Sequence, residues 1–126
     1  MAHHTASITP FSENPDFDYE IRGILGQAVG GAADVGEVLA ATAGTGKRDH
    51  DGWFHAWHEL GQRTAEAAQA SAAAGHRVSA TGAFLRASAY FGVAVNAVSS
   101  CRIRPNCFRR SASNRTRGIR SSRTRR

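Results

Sequence analysis

His55-Ala-Trp-His58-Glu59 is the stretch whose residue types most invite chemistry. Zinc peptidase helices carry two histidines four apart around a glutamate, or the inverted order H-x-x-E-H. The order here is H-x-x-H-E, which is neither. His50 lies nearby, but no third ligand and no water position are evident, so structural or surface histidines are expected and no metal site is assigned. Ala41 to Asp49, ATAGTGKRD, has the look of a phosphate loop. A Walker loop needs Gly, four residues, then Gly-Lys-Ser/Thr. Here Ala41 takes the first position and Arg48 follows Lys47, so the hydroxyl that would hold magnesium is absent. A flexible glycine-rich loop is the expectation. No G-x-S-x-G elbow and no oxyanion-hole stretch occurs anywhere. No catalytic residue and no cofactor is predicted.

Cys101 and Cys107 have no suitable histidine–acid partner in sequence context, and a lone C-x5-C matches no common zinc pattern. They sit in a tail of 26 residues, 101–126, that holds ten arginines, no lysine and no acid. The first hundred residues hold six basic and ten acidic side chains, so an acidic body of net charge −4 is joined to a tail of +10. The sequence pI near 10.6 averages over that contrast. Ten arginines suffice for non-specific, salt-sensitive binding to nucleic acid. Phe108 is the one aromatic there, so little could stack on bases.

The elements that must position these residues read as all-α: two short helices, a long antiparallel helical hairpin, and a disordered basic tail. Residues 1–17 read as an extended, partly mobile lead-in. A helix over YEIRGILGQAV follows, capped by Asp16 or Asp18, with Ile21, Ile24, Leu25 and Ala28 on one face. A second helix, ADVGEVLAATA, starts near Asp34 with Val35, Val38 and Leu39 inward. A third begins after Asp49 or Asp51, and Trp53, Trp57, Leu60, Thr64, Ala67 or Ala68, and Ser71 form its stripe. Gly75 is placed as its left-handed stop. Ser79 caps a fourth helix with an expected stripe of Phe84, Ala87 or Ser88, Phe91, Val95 and Val98. The short link GHRV makes the last two helices antiparallel neighbours.

No 18-residue apolar run occurs. Arg86, Ser88, Gly92 and Asn96 interrupt the most apolar stretch, so no membrane span is expected. The N-terminus lacks a basic stretch followed by an apolar core, and a cytoplasmic location is the default.

Trp53-Phe-x-Ala-Trp57-x-Glu-Leu-Gly, then Gly75-His76-Arg-Val-Ser79, then Phe84-Leu-Arg86-Ala-Ser88-Ala-Tyr90-Phe91 resembles one group of α/β-hydrolases. The group includes the 2,6-dihydroxypseudooxynicotine hydrolase and the dipeptidyl-aminopeptidase-like esterases. The resemblance runs from about Phe17 to Ser99. It implies that residues 18–100 are the N-terminal, cap-like helical region of such a hydrolase. The family's serine, acid and histidine lie in a later catalytic domain, so no catalytic residue transfers to this sequence. That domain is the implied partner. Trp53, Trp57, Arg86, Tyr90 and Phe91 become accessory pocket or packing residues near the active-site entrance. The plainer reading makes the aromatics core and Arg86 an ion-pair partner. An apolar surface meant for the absent domain is also implied, with Trp53, Trp57 and Phe91 as candidates for self-association.

The likeness stops near Ser100. Read one frame over, GC-rich codons for the tail permit PDPTELLPTFRVEPHAWDPFV, a plausible continuation of the family. The tail is therefore expected to be out-of-frame translation. The alternative is a small helical protein that binds nucleic acid or an acidic partner through its arginines.

Overall fold

The computed structural model describes residues 9–101, with side chains to residue 96. The expectations for the first eight residues and for the arginine-rich tail, including its disorder, lie outside the described residues. Among the described residues there are four α-helices and no strand.

Helix α1, Pro15–Gly26, begins at a proline whose missing N–H costs a first turn nothing. Its cap is Asn14, whose side-chain oxygen accepts the Asp16 and Phe17 N–H groups at 2.9 and 3.3 Å. The expected caps, Asp16 and Asp18, lie inside the helix instead. Asp18 accepts the Phe11 N–H at 2.7 Å and pairs with Arg22 Nε at 2.7 Å. The Arg22 guanidinium beside it holds its carboxyl below the usual carboxylate range. Residues 9–14 are thus folded back onto α1, not an extended lead-in. Phe17, Ile21 and Ile24 are the buried positions of α1.

A 3-10 turn, Gln27–Gly30, leads to helix α2, Val35–Thr42. The Asp34 carboxylate caps α2 by accepting the Glu37 N–H at 2.9 Å. Only Val38 of this short helix is buried. Val35 and Leu39, expected inward, are about half exposed. Eight residues make little more than two turns, and Ala33, just before the helix, supplies the other buried contact.

Helix α3, His50–Ala73, is capped by Asp49, which accepts the Gly52 N–H at 2.8 Å. Its stripe is Trp53, Trp57, Leu60, Gly61, Thr64 and Ala68. Gly75, at φ 83°, ends the helix, and the His76 N–H reaches back to the Ser71 carbonyl at 2.9 Å. That left-handed turn satisfies carbonyls the helix end would otherwise leave open.

Helix α4, Arg77–Cys101, starts two residues before the expected cap at Ser79. The Ala80 N–H bonds the His76 carbonyl at 2.9 Å, so His76 occupies the cap position. The link is therefore three residues, Ala74 to His76, and α3 and α4 pack closely along one another. The stripe expected on α4 is rotated. Its buried positions are Ala80, Ala83, Ala87, Tyr90, Val93 and Ala94, while Phe84 and Val95 face outward. Small residues let the backbones approach, and approach outweighed the larger side chains' hydrophobicity. Ala68 and Thr64 line the same narrow end of the hairpin, opposite the aromatic end where α1 and α2 pack.

From Arg77 to Asn96, α4 is long and apolar enough to cross a membrane by length and composition alone, with mean hydropathy 1.2, and 33% of that window is buried within the fold.

Candidate functional site

The residues singled out as accessory fall into two groups. Trp53, Trp57 and Tyr90 form an aromatic column with Phe17. Phe17 stacks on Trp53 at 4.2 Å between ring centroids, Trp53 meets Trp57 at 5.5 Å, and Trp57 meets Tyr90 at 5.9 Å. The column exists because Trp53 and Trp57 are one helical turn apart and Tyr90 faces them from the antiparallel neighbour. Trp53 is 1% exposed and Trp57 0%. The expectation that these tryptophans present an open apolar surface is thereby overturned: Phe17 of α1 stacks on Trp53, and both tryptophans lie in one buried cluster with Phe17 and Ile21. Their indole nitrogens have no hydrogen-bond partner.

Tyr90 also carries a polar link between the hairpin and α2. Its hydroxyl donates to Glu37 Oε2 at 2.5 Å and accepts the Asp34 N–H at 2.9 Å. Burial, and then the bond to Glu37, push its ionisation well above the ordinary tyrosine range. Arg86, one turn before Tyr90, stands 3.4 Å from the same carboxylate oxygen through Nε. This is a charge contact without hydrogen-bond alignment, since Nε has no hydrogen-bond partner. Asp34, Glu37, Arg86 and Tyr90 together pin the start of α2 to the hairpin. A neutral phenol held between a donor and an acceptor supplies orientation, not a nucleophile.

Phe91 is half-buried and lies over Gly61. A Cβ at Gly61 would sit 2.8 Å from two Phe91 ring carbons, so the helices need glycine there. His58 stacks on Phe54 at 5.4 Å and meets Phe91 edge-on at 5.6 Å. His50 packs against Phe17 at 5.1 Å, and His55 is exposed beside Phe54. His55 and His58 thus share Phe54, while His50 stands apart against Phe17. Among the described residues no group of three or more histidine, cysteine or acidic side chains could hold a metal.

A cleft of about 340 Å³ lies between the lead-in, α1 and the glycine-rich loop, lined by residues including Phe11, Glu13, Thr45, Lys47 and Trp53. Lys47 is 3.8 Å from Glu13, and the Asn14 side chain donates to the Lys47 carbonyl at 2.8 Å. The loop therefore serves to hold the lead-in and, with no strand before it among the described residues, lacks the setting of a phosphate cradle.

Glu37 and Asn14 were not singled out from sequence. Asp34-x-x-Glu37 carries the capping spacing that marks a helix start. Its long-range bond to Tyr90, 53 residues away, has no local signal.

No family model matches the chain, and no solved structure matches it significantly. Curated relatives do. The chain is 45% identical over 82 residues to an alpha/beta hydrolase of Penicillium citrinum, covering 65% of this chain and 19% of that protein. It is 43% identical over 81 residues to one of Xenoacremonium sinensis, covering 64% and 19%. It is 41% identical over 83 residues to one of an Acremonium species, covering 66% and 20%. The chain thus spans about a fifth of the length of the curated relatives it matches, and it is homologous to a segment of α/β hydrolases. Nothing in the comparisons or the described fold favours the nucleic-acid reading, whose arginines lie outside the described residues.

Proposed function

We propose that this chain is a helical, non-catalytic region of an α/β hydrolase, which packs against the catalytic part and helps shape the approach to its active site. The observation that carries the reading is 45% identity over 82 residues that make up only 19% of the hydrolase. The sequence supports it, since none of its 126 residues forms a G-x-S-x-G elbow. In this reading Trp53, Trp57 and Tyr90 act through the core, by fixing the hairpin's shape. Arg86 and Phe91, half-buried, act on the same packing through Glu37 and Gly61. Residues 101–126 fit the reading as out-of-frame coding.

The test is hydrolysis of p-nitrophenyl acetate by the purified 126-residue chain. The expected rate is that of buffer plus a tail-matched peptide control. Saturable turnover by the folded chain contradicts the non-catalytic assignment.

A further inference from the structure

Helix α4 is apolar on both sides. Its inner stripe is spent on α3, yet Val78 (88% exposed), Leu85 (48%) and Phe84 (44%) lie on the outside. A helix of globular protein that is apolar all round is ordinarily covered all round. Val78, Thr81, Leu85, Ser88 and Gly92 recur at alternating steps of three and four, the spacing of a seam that receives a second helix. Each is exposed, and none is charged. The Thr81 hydroxyl donates to the Arg77 carbonyl at 2.9 Å, so its polar group is satisfied within its own helix. Arg86, the charged residue of this stretch, is turned to Glu37 on α2.

Glycine weakens a helix relative to alanine. At Gly92, as at Gly82 on the same helix, an added Cβ would meet nothing within 4 Å, so packing within this fold does not require glycine at either position. Ser88 and Gly92, one turn apart, make a shallow seat bordered by Phe84 and Leu85. Gly61 beneath Phe91 shows the same device already used on the inner side of the hairpin.

We infer that the outer seam of α4, centred on Leu85, Ser88 and Gly92, is the surface that docks the rest of the hydrolase, and that the docked element is an apolar helix crossing close at Ser88–Gly92. The inference rests on the reading proposed above. About four-fifths of the relatives' length lies outside the matched segment, since the chain covers 19% of the Penicillium citrinum protein. In those proteins any such helix belongs to the same polypeptide as the segment. Its effective concentration is therefore on the order of millimolar when a short linker allows it to reach, which favours it over a separate partner. A seam without charge, in which Val78 and Leu85 alternate with the small Thr81, Ser88 and Gly92, also selects an uncharged occupant over a polyanion.

The experiment compares thiol labelling in two settings, both with Cys101→Ser and Cys107→Ser. One is the 126-residue chain. The other is the full Penicillium citrinum hydrolase with its matching segment replaced by that of this chain. Leu85→Cys reports on the seam. Val29→Cys, at a residue 98% exposed and distant in sequence from α4, is the control. The expected result is that Leu85→Cys reacts with a soluble maleimide at least about tenfold more slowly in the graft than in the chain, while Val29→Cys reacts equally in both. Equal labelling of Leu85→Cys in a folded graft overturns the seam. Concentration-dependent protection in the chain alone makes the occupant a second copy, and protection by phosphatidylcholine vesicles makes it a lipid surface; either overturns the assignment. A graft that gives no folded, soluble protein counts against the hydrolase-region reading itself.

Discussion

Helices α3 and α4 are almost equal in length, 24 and 25 residues, and share one interface, yet their outer faces differ in kind. Outside, α3 shows Asp51, Glu59, Gln62, Arg63, Glu66 and Gln69. Outside, α4 shows Val78, Phe84, Leu85, Ser88 and Gly92. The first is a solvated face. The second resembles the inner face of a hairpin that has no partner yet. The contrast says that the two-helix unit is complete on the α3 side and open on the α4 side. A free-standing domain of this size has little apolar surface to spare, because its net stability is small. Among the described residues the α4 exterior is left uncovered, as the proposed reading of the chain as one region of a hydrolase expects.

If the inner faces hold this fold and the α4 seam does not, the largest effect must come from the aromatic column. Trp57→Ala should cost about 3–5 kcal/mol through the cavity it leaves. Thermal unfolding followed by circular dichroism should lose its cooperative transition or shift it down by tens of degrees. Gly61→Ala comes next, at about 1–3 kcal/mol, because its Cβ drives into the Phe91 ring. Adding Phe91→Ala should recover part of that loss, so a double-mutant cycle in urea should give a favourable coupling. Simple additivity would show that the two helices do not depend on this close approach.

Tyr90→Phe should cost about 1–2 kcal/mol, since it deletes the bond to Glu37 and strips the Asp34 N–H of its acceptor. It should also change the alkaline limb. The folded state raises the Tyr90 ionisation above its ordinary value of 10.0. Stability from this group is therefore whole below that pH and declines as pH rises toward the folded value. Melting temperature against pH from 8 upward should fall less steeply in Tyr90→Phe than in the parent. Identical slopes would mean that Tyr90 is not the group that titrates. The smallest effect belongs to the seam. In the isolated chain, Leu85→Glu should move stability by no more than about 0.5 kcal/mol and should raise solubility. A loss near that of Gly61→Ala would make the α4 exterior part of this core and erase the comparison.

Much of this contrast was legible along the chain. The α3 stripe from Trp53 to Ala68 could be read because bulky residues recur at three- and four-residue steps against polar neighbours. Gly75 marked the turn for a reason that needs no tertiary knowledge. The α4 stripe could not be read the same way, since both its faces are apolar and periodicity loses its contrast. Choosing Phe84 and Val95 over Ala80 and Ala83 followed side-chain size, whereas the interface was decided by how closely two backbones can approach. The caps at Asn14 and His76 were missed for a different reason. Asp16, Asp18 and Ser79 are equally good cappers in isolation, and the choice depended on Pro15 and on the Gly75 turn. The plainer reading of Trp53, Trp57 and Tyr90 as core and of Arg86 as an ion-pair partner was legible, but not which residues would pack on them. Nothing near Trp53 in sequence announces that Phe17, 36 positions earlier, will stack on it.

The central claim is that this is one region of an α/β hydrolase whose catalytic machinery is encoded beyond it. It is tested most directly by sequencing the gene through codon 100 and several hundred bases onward. The account predicts that a shifted frame opens there into a hydrolase sequence bearing a G-x-S-x-G elbow. An intact frame with no hydrolase-coding sequence after it in any register would contradict that claim and make the arginine tail a genuine part of the protein.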